Sequence, residues 1–322
     1  MNRQDIQKLI VGPIATVPTP FDKNFEVDYG RMHELAQGWV DNGLVKGRAV
    51  IKVAAAMGEG PMLRDDEWPY LLRTVSQATD GKAAIVCGLH YKDTKRTIED
   101  AKRAQDMGAH ALQVCPPIFN LPSQEDILDY FSDLSDAIDI GIMVYHTHWM
   151  PGGRIEIDTF LKMSDFEQVA SVKWSCPEDV EYNDISKFTK IFNVISNGHT
   201  VQAHKLGAKG YINLTAESYP AHDLKVWDLL ESGKYDEAEK LEDSVNEPLR
   251  IFSAKVDSRS GGQGRVKKGV MALMGQGVGS SRPPSKPLNS QELDELREIL
   301  IGFGWPVQAT ANEAMASQNS EY

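Results

Sequence analysis

Short apolar runs alternate with longer segments whose apolar positions recur at helical spacing, and the alternation is regular across residues 12–233. GPIATVPT (12–19), RAVIKVAA (48–55), AAIVCGL (83–89), AHALQVCPP (109–117), IGIMVYH (140–146), VASVK (169–173), IFNVIS (191–196) and KGYINLT (209–215) read as strands. Residues 28–43, 65–81, 94–108, 123–139, 157–164, 180–190, 199–206 and 221–233 read as the helices that follow them. The punctuation agrees: Asp28 and Ser123 stand at N-cap positions, Pro69 in a first turn, Gly43 and Gly108 at C-terminal stops.

Strands that alternate with helices predict a parallel sheet. Eight such units fit a closed (β/α)8 TIM barrel better than an open doubly wound sheet. The phosphate fingerprint GxGxxG of the open sheet is missing, because GGQGRVKKG (261–269) carries Lys267 where the last glycine belongs. Helical periodicity continues over 235–255, 264–275 and 289–304, broken by the turn-rich GQGVGSSRPPSKP (275–287). The expected organisation is therefore a barrel over 1–233 and a C-terminal helical appendage over 234–307. Residues 308–322 are small, polar and without periodicity, and read as a disordered tail.

Composition narrows the function classes. The chain has 322 residues, 41% hydrophobic and 25% charged, which suits a large globular core. A net charge of −12 argues against nucleic-acid and anionic-membrane partners. The three cysteines, Cys87, Cys115 and Cys176, form no CxxC, which argues against a disulfide framework or zinc site and for a reducing cytoplasm. MNRQDIQKLIVGP offers no signal peptide, and no stretch approaches the ~18–20 apolar residues that span a bilayer.

The active site of such a barrel lies at the C-terminal ends of its strands. There Lys173 closes the run VASVK, and strand alternation places it on a face with Ser171 and Val169. If that face is internal, the amine is desolvated and nucleophilic towards a ketone; otherwise it snorkels into solvent. Tyr145 ends the preceding strand, either near enough to move protons for an adduct on the lysine or as a core tyrosine whose hydroxyl is satisfied locally. Gly58 and Glu59 follow the second strand, either in a turn whose backbone N–H groups can hold a carboxylate or in an ordinary βα turn. His146 and His148 share a loop, as polar loop residues or as two ligands of a metal that would need a third. Trp149 and Met150 suggest an apolar wall.

Taken together these stretches resemble the dihydrodipicolinate synthase / N-acetylneuraminate lyase family of Schiff-base barrels, over about residues 12–305. GPIATVPTPFDKNFEVD is similar to the family's opening strand and TPF…D turn. AAMGEGPML stands in place of its GTTGE-type loop, and PPIFNLPSQEDILDYF in place of its PPYY segment. IMVYHTHWMPGG resembles the tyrosine strand, SVKWS the lysine strand, LGAKGYINLTAESYP the strand that follows, and VKKGVMALMGQGVGSSRPPSKPL the C-terminal pattern. The resemblance implies that Lys173 is the Schiff-base lysine and Tyr145 the proton-relaying tyrosine. It further implies that Ala56, Met57, Gly58, Glu59, Phe119, His146 and Ile212 line the substrate site. No metal or organic cofactor is implied, since the lysine supplies the electrophile, and a homo-oligomer, tetramer or dimer, is expected.

The departures are as informative. Ala56 and Met57 replace the paired hydroxyl residues, Phe119 the second tyrosine, and His146 an asparagine. Met150 stands for the arginine that binds a synthase's second substrate, although Arg154 lies nearby, and the segment after the seventh strand is shorter. The expectation is a divergent Schiff-base lyase acting on pyruvate or a related 2-oxo acid by aldol chemistry or dehydration, not an authentic dihydrodipicolinate synthase. Its apolar wall favours a less hydroxylated substrate. A non-catalytic 2-oxo acid-binding or partner paralogue, and a metal-dependent lyase using His146 and His148, remain as rivals.

Overall fold

The computed structural model describes residues 1–90 and 92–318. Among these, eight parallel strands close into a barrel in sequence order, β1-β2-β3-β4-β5-β6-β7-β8, the expected (β/α)8 architecture. The chain opens with helix α1 (Arg3–Leu9), then β1 (Gly12–Thr16), α2 (Tyr29–Asp41), β2 (Val50–Val53), α3 (Trp68–Ala78), β3 (Ala84–Leu89) and α4 (Thr94–Asp106). It continues through β4 (Ala111–Val114), α5 (Gln124–Ala137), β5 (Gly141–Tyr145), α6 (Ile157–Lys162), β6 (Val169–Trp174), β7 (Asn193–Ser196), α7 (Thr200–Lys205), β8 (Gly210–Tyr211) and α8 (Pro220–Glu231). Helices α9 (Tyr235–Asp257), α10 (Arg265–Leu273), α11 (Ser290–Gly302) and α12 (Ala311–Gln318) follow.

Two apolar shells hold the barrel. Alternate strand residues, among them Ile14, Val50, Val86, Ala111, Met143 and Ile195, fill the interior. Their neighbours on the other face pack against the helices. Helix α1 was not expected. Asn2 caps it by accepting from the Asp5 N–H at 2.9 Å, and Ile6 and Ile10 join the interior cluster. The short i, i+4 pair that plugs the barrel is too brief a pattern to stand out in sequence.

Three other expectations change. Residues 180–190 form only a 3-10 turn over Tyr182–Lys187, because Asn183, Asp184 and Ser186 favour turns over α-helix. The eighth strand is cut to two residues where the Asn213 side chain accepts the Thr215 N–H at 3.0 Å and turns the backbone out of the ladder. Part of the expected disordered tail is the ordered helix α12. Thr310 and Glu313 cap each other's backbone, and Ala311 and Ala314 are buried in the appendage core; residues 319–322 lie outside the described residues. That core gathers Val245, Leu249, Phe252, Val270, Leu296 and Trp305, so α9–α12 pack as one body beside the barrel mouth.

Candidate active site

Tyr145 and Lys173 sit directly opposite each other in the β5–β6 ladder. One irregularity decides which way Lys173 faces. Ile142 pairs with Val169 but Met143 pairs with Ser171, so Ala170 is an extra residue that shifts the alternation. Val169 consequently packs in the outer shell with Val172 and Trp174, while Ser171 and Lys173 turn inward; the expectation that Val169 shares the face of Lys173 is corrected.

Lys173 lines a cavity of about 300 Å³ at the C-terminal end of the barrel, at the lower end of small-molecule sites. It is 4% exposed and has no hydrogen-bond or carboxylate partner among the described residues; its Nζ lies 3.9 Å from the centroid of the Tyr145 ring. Burial pushes its pKa from 10.5 down to about 7. The ring's attraction for an ammonium acts the other way, and is worth only about 0.5–2 kcal/mol, so desolvation wins. The neutral, nucleophilic amine is therefore present above pH 7 and lost as pH falls through it. Competitive labelling of lysines read by mass spectrometry should show Lys173 half-reactive near pH 7, whereas a solvated lysine titrates at about 10.4. A labelling midpoint above 9 at Lys173 would contradict the desolvated site.

Ala56 and Met57 also line the cavity, in a 3-10 turn over Ala56–Gly58 that follows β2. Gly58 N–H donates back to Ala55 O at 2.9 Å and Glu59 N–H to Ala56 O at 3.1 Å, so neither is available to a ligand. The N–H groups of Ala56 and Met57, first in the turn, have no backbone acceptor among the described residues, and both residues line the cavity. Thr19 Oγ1 fastens the turn by donating to Gly58 O at 2.7 Å. Gly58 must be glycine, since a Cβ would meet Val17 O at 2.4 Å.

Glu59 takes a left-handed backbone, φ 65°, and turns its carboxylate away from the cavity to Lys268 Nζ of α10 at 2.8 Å. It anchors the turn to the appendage and does not line the cavity. His146 is behind the wall, since alternation sends Tyr145 in and His146 out. Its ring stacks on Trp174 at 4.7 Å with Nδ1 3.0 Å from Ser175 O, and burial, then His148, lowers its pKa to about 3. His148 stands 5.2 Å away, ring to ring, and among the described residues no group of three or more His, Cys, Asp or Glu could hold a metal. Phe119 is 91% exposed on a turn after β4, outside the cavity. Ile212 belongs to the interior cluster and faces a neighbouring groove with Asn213 and Leu214. Trp149 does line the mouth, edge-on to Tyr145 at 5.8 Å, while Arg154 is engaged by Glu156 and Asp179.

Sequence reasoning missed Thr16, Lys52, Gln113 and Asn197 on the barrel wall, and Ser253, Asp257, Gln263 and Val266 contributed by the appendage. Lys52 carried the same signal as Lys173, a lysine set in an apolar run (AVIKVA). Its Nζ donates to Gln113 Oε1 at 2.8 Å, and its pKa is well below the ordinary lysine value through burial, then through the charges of Lys173 and Lys267.

Comparison with known proteins places this geometry among relatives. The model of the dihydrodipicolinate synthetase family matches residues 10–301. A 4-hydroxy-tetrahydrodipicolinate synthase of Heliobacterium modesticaldum is 26% identical over 309 residues, covering 94% of this chain and 98% of the relative. Its counterpart in Limosilactobacillus reuteri is 27% identical over 299 residues, covering 89% and 91%. Among solved structures, a dihydrodipicolinate synthase from Thermotoga maritima superposes with a TM-score of 0.82 at 23% identity, over 92% of this chain and 99% of that one. One from Aquifex aeolicus gives 0.81 at 22% identity, over 93% and 100%. At these identities the structures speak for the fold.

Proposed function

The chain belongs to the dihydrodipicolinate synthetase family of lyase-type enzymes, and on that premise we propose that it acts on pyruvate or a related 2-oxo acid through a Schiff base on Lys173. The observation that carries this reading is the desolvated Lys173 amine facing the Tyr145 ring in the cavity at the barrel mouth. The neutral amine adds to the ketone carbon; the carbinolamine then takes up a proton and loses water to leave an iminium. The iminium at C2 draws electrons from the bonds to C3. Cleavage of the C3–C4 bond, with the C4 hydroxyl giving up its proton so that C4 leaves as a carbonyl, or loss of a proton from C3, gives the C2–C3 enamine from which aldol and dehydration products arise. The open N–H groups of Ala56 and Met57 receive the carboxylate next to the ketone. Tyr145 moves the protons between carbinolamine, enamine and water. A barrel that merely bound its ligand would need neither a nucleophilic amine nor a proton carrier beside it.

Borohydride reduction in the presence of pyruvate, followed by intact mass and peptide mapping, tests the proposal. One adduct, on the peptide that carries Lys173, is expected. An adduct confined to another lysine, or none with any 2-oxo acid, refutes it. Tyr145→Phe keeps the aromatic wall and removes the proton carrier. It should still trap pyruvate while turnover falls by roughly 10²–10⁴-fold, the size of a general acid–base contribution. Unchanged turnover would remove Tyr145 from the mechanism.

A further inference from the structure

The cavity holds a second buried lysine that the Lys173–Tyr145 pair does not use. Lys52 stands on β2 and Lys173 on β6, four strands apart in a closed eight-stranded barrel, so they face the cavity from opposite walls. Lys52 is 1% exposed and among the described residues donates to one acceptor, Gln113 Oε1, which leaves donor capacity unfilled. Thr16, level with Lys52 on β1, is equally buried, and its Oγ1 has no partner among the described residues. Both side chains line the cavity, whose one acid among the described lining residues is Asp257 on the exposed rim.

A lysine held at this depth is destabilising: burial and the charges of Lys173 and Lys267 lower its pKa, Glu217, itself paired with Lys267, opposes them, and an apolar side chain of similar size would be more stable in its place. The arrangement makes sense when a ligand brings a charge that holds the proton on Lys52. Once Lys173 is an iminium, its charge disfavours a second cation across the cavity. A 2-oxo acid with one carboxylate balances the iminium. A second carboxylate, placed across the cavity, favours the ammonium form of Lys52 and fills the open donors of Lys52 and Thr16.

Resting on the Schiff-base reading above, we propose that Lys52, Gln113 and Thr16 form a second anion subsite, and that the substrate is a 2-oxo acid bearing a second carboxylate that this subsite holds. The ammonium and the Thr16 hydroxyl donate to the carboxylate. The Gln113 carbonyl keeps its own bond to Nζ and so aims it. Selectivity follows from what an analogue without the second carboxylate leaves behind, namely a buried amine bonded to Gln113 alone and a buried Thr16 hydroxyl without a partner.

The test uses glutarate and pentanoate, acids of equal length that differ by one carboxylate and carry no ketone. Calorimetry on the whole protein should show glutarate binding about 10-fold more tightly, the size of one charge-assisted hydrogen bond. That preference should vanish in Lys52→Met and shrink in Thr16→Val and Gln113→Leu, whose folds are checked by circular dichroism. Equal binding of the two acids by the wild type, or a glutarate preference that survives in Lys52→Met, overturns the proposal. Neither acid can form an imine, so this outcome is independent of whether Lys173 does. Borohydride trapping of 2-oxoglutarate reads that separately.

Discussion

Lys173→Met should abolish the pyruvate adduct and lower turnover by on the order of 10³-fold or more, the scale on which enzymes lose rate when the covalent nucleophile is removed. Methionine matches the lysine stem in length and is apolar, so it fills the wall of the cavity without a charge. The variant should also be at least as stable as the wild type at pH 7, because a desolvated lysine destabilises the fold that holds it. The pH dependence of that difference has a definite sign. The folded pKa of about 7 lies below the unfolded-state reference of 10.5, so between these values the unfolded chain binds more protons and wild-type stability rises with pH. The advantage of Lys173→Met is thus fully present below pH 7 and fades as pH rises towards 10.5. Thermal midpoints measured across that window, beside the trapping assay, check both halves. A variant that loses activity only because it unfolds would contradict the assignment, as would one that retains the adduct.

Lys267→Met should be the most damaging single change to stability, by about 3–5 kcal/mol, because it leaves a buried carboxylate without its partner. Lys267 of α10 pairs with Glu217 in the segment after β8, and both side chains are fully buried. Lys267 also donates to Leu214 O at 3.1 Å, and the Glu217 backbone carbonyl accepts from Trp39 Nε1 at 2.9 Å. Desolvation pushes the two pKa values towards neutrality, Glu217 upwards and Lys267 downwards, while their mutual attraction opposes both shifts. In a double-mutant cycle, Glu217→Leu with Lys267→Met should recover much of the loss, since two apolar residues replace a pair instead of half of one. Urea denaturation reads the cycle; additive losses would show that the pair is not coupled. The same change should raise KM. Helix α10 also carries Val266 on the cavity and Lys268, which holds Glu59 and with it the turn of Ala56 and Met57.

The legible part of the site was the part written in strand ends. Lys173 and Tyr145 each close an apolar run, and strand counting put them on neighbouring strands. The turn residues Ala56 and Met57, which line the cavity, came from the resemblance to the family's GTTGE-type loop. Phe119, His146 and Glu59 were expected at the substrate and lie elsewhere in the single chain. Alternation sends His146 behind the wall, a left-handed backbone swings Glu59 to Lys268, and the turn after β4 carries Phe119 into solvent. Lys52 went unnoticed because the apolar run continues past it through Val53, Ala54 and Ala55, where a lysine reads as an irregularity and not as a strand end.

The amino-acid sequence by itself determined the barrel, because periods of two and of 3.6 residues are local properties of the chain and alternate eight times. It also determined which strand carries the amine. Only the tertiary structure decided the surroundings of that amine. One extra residue in β6 rotates Lys173 inward, closure of the barrel sets Lys52 across from it, and the appendage lays α9 and α10 over the mouth. Desolvation and charge balance arise from groups brought together over more than a hundred residues of chain, and no local pattern encodes them.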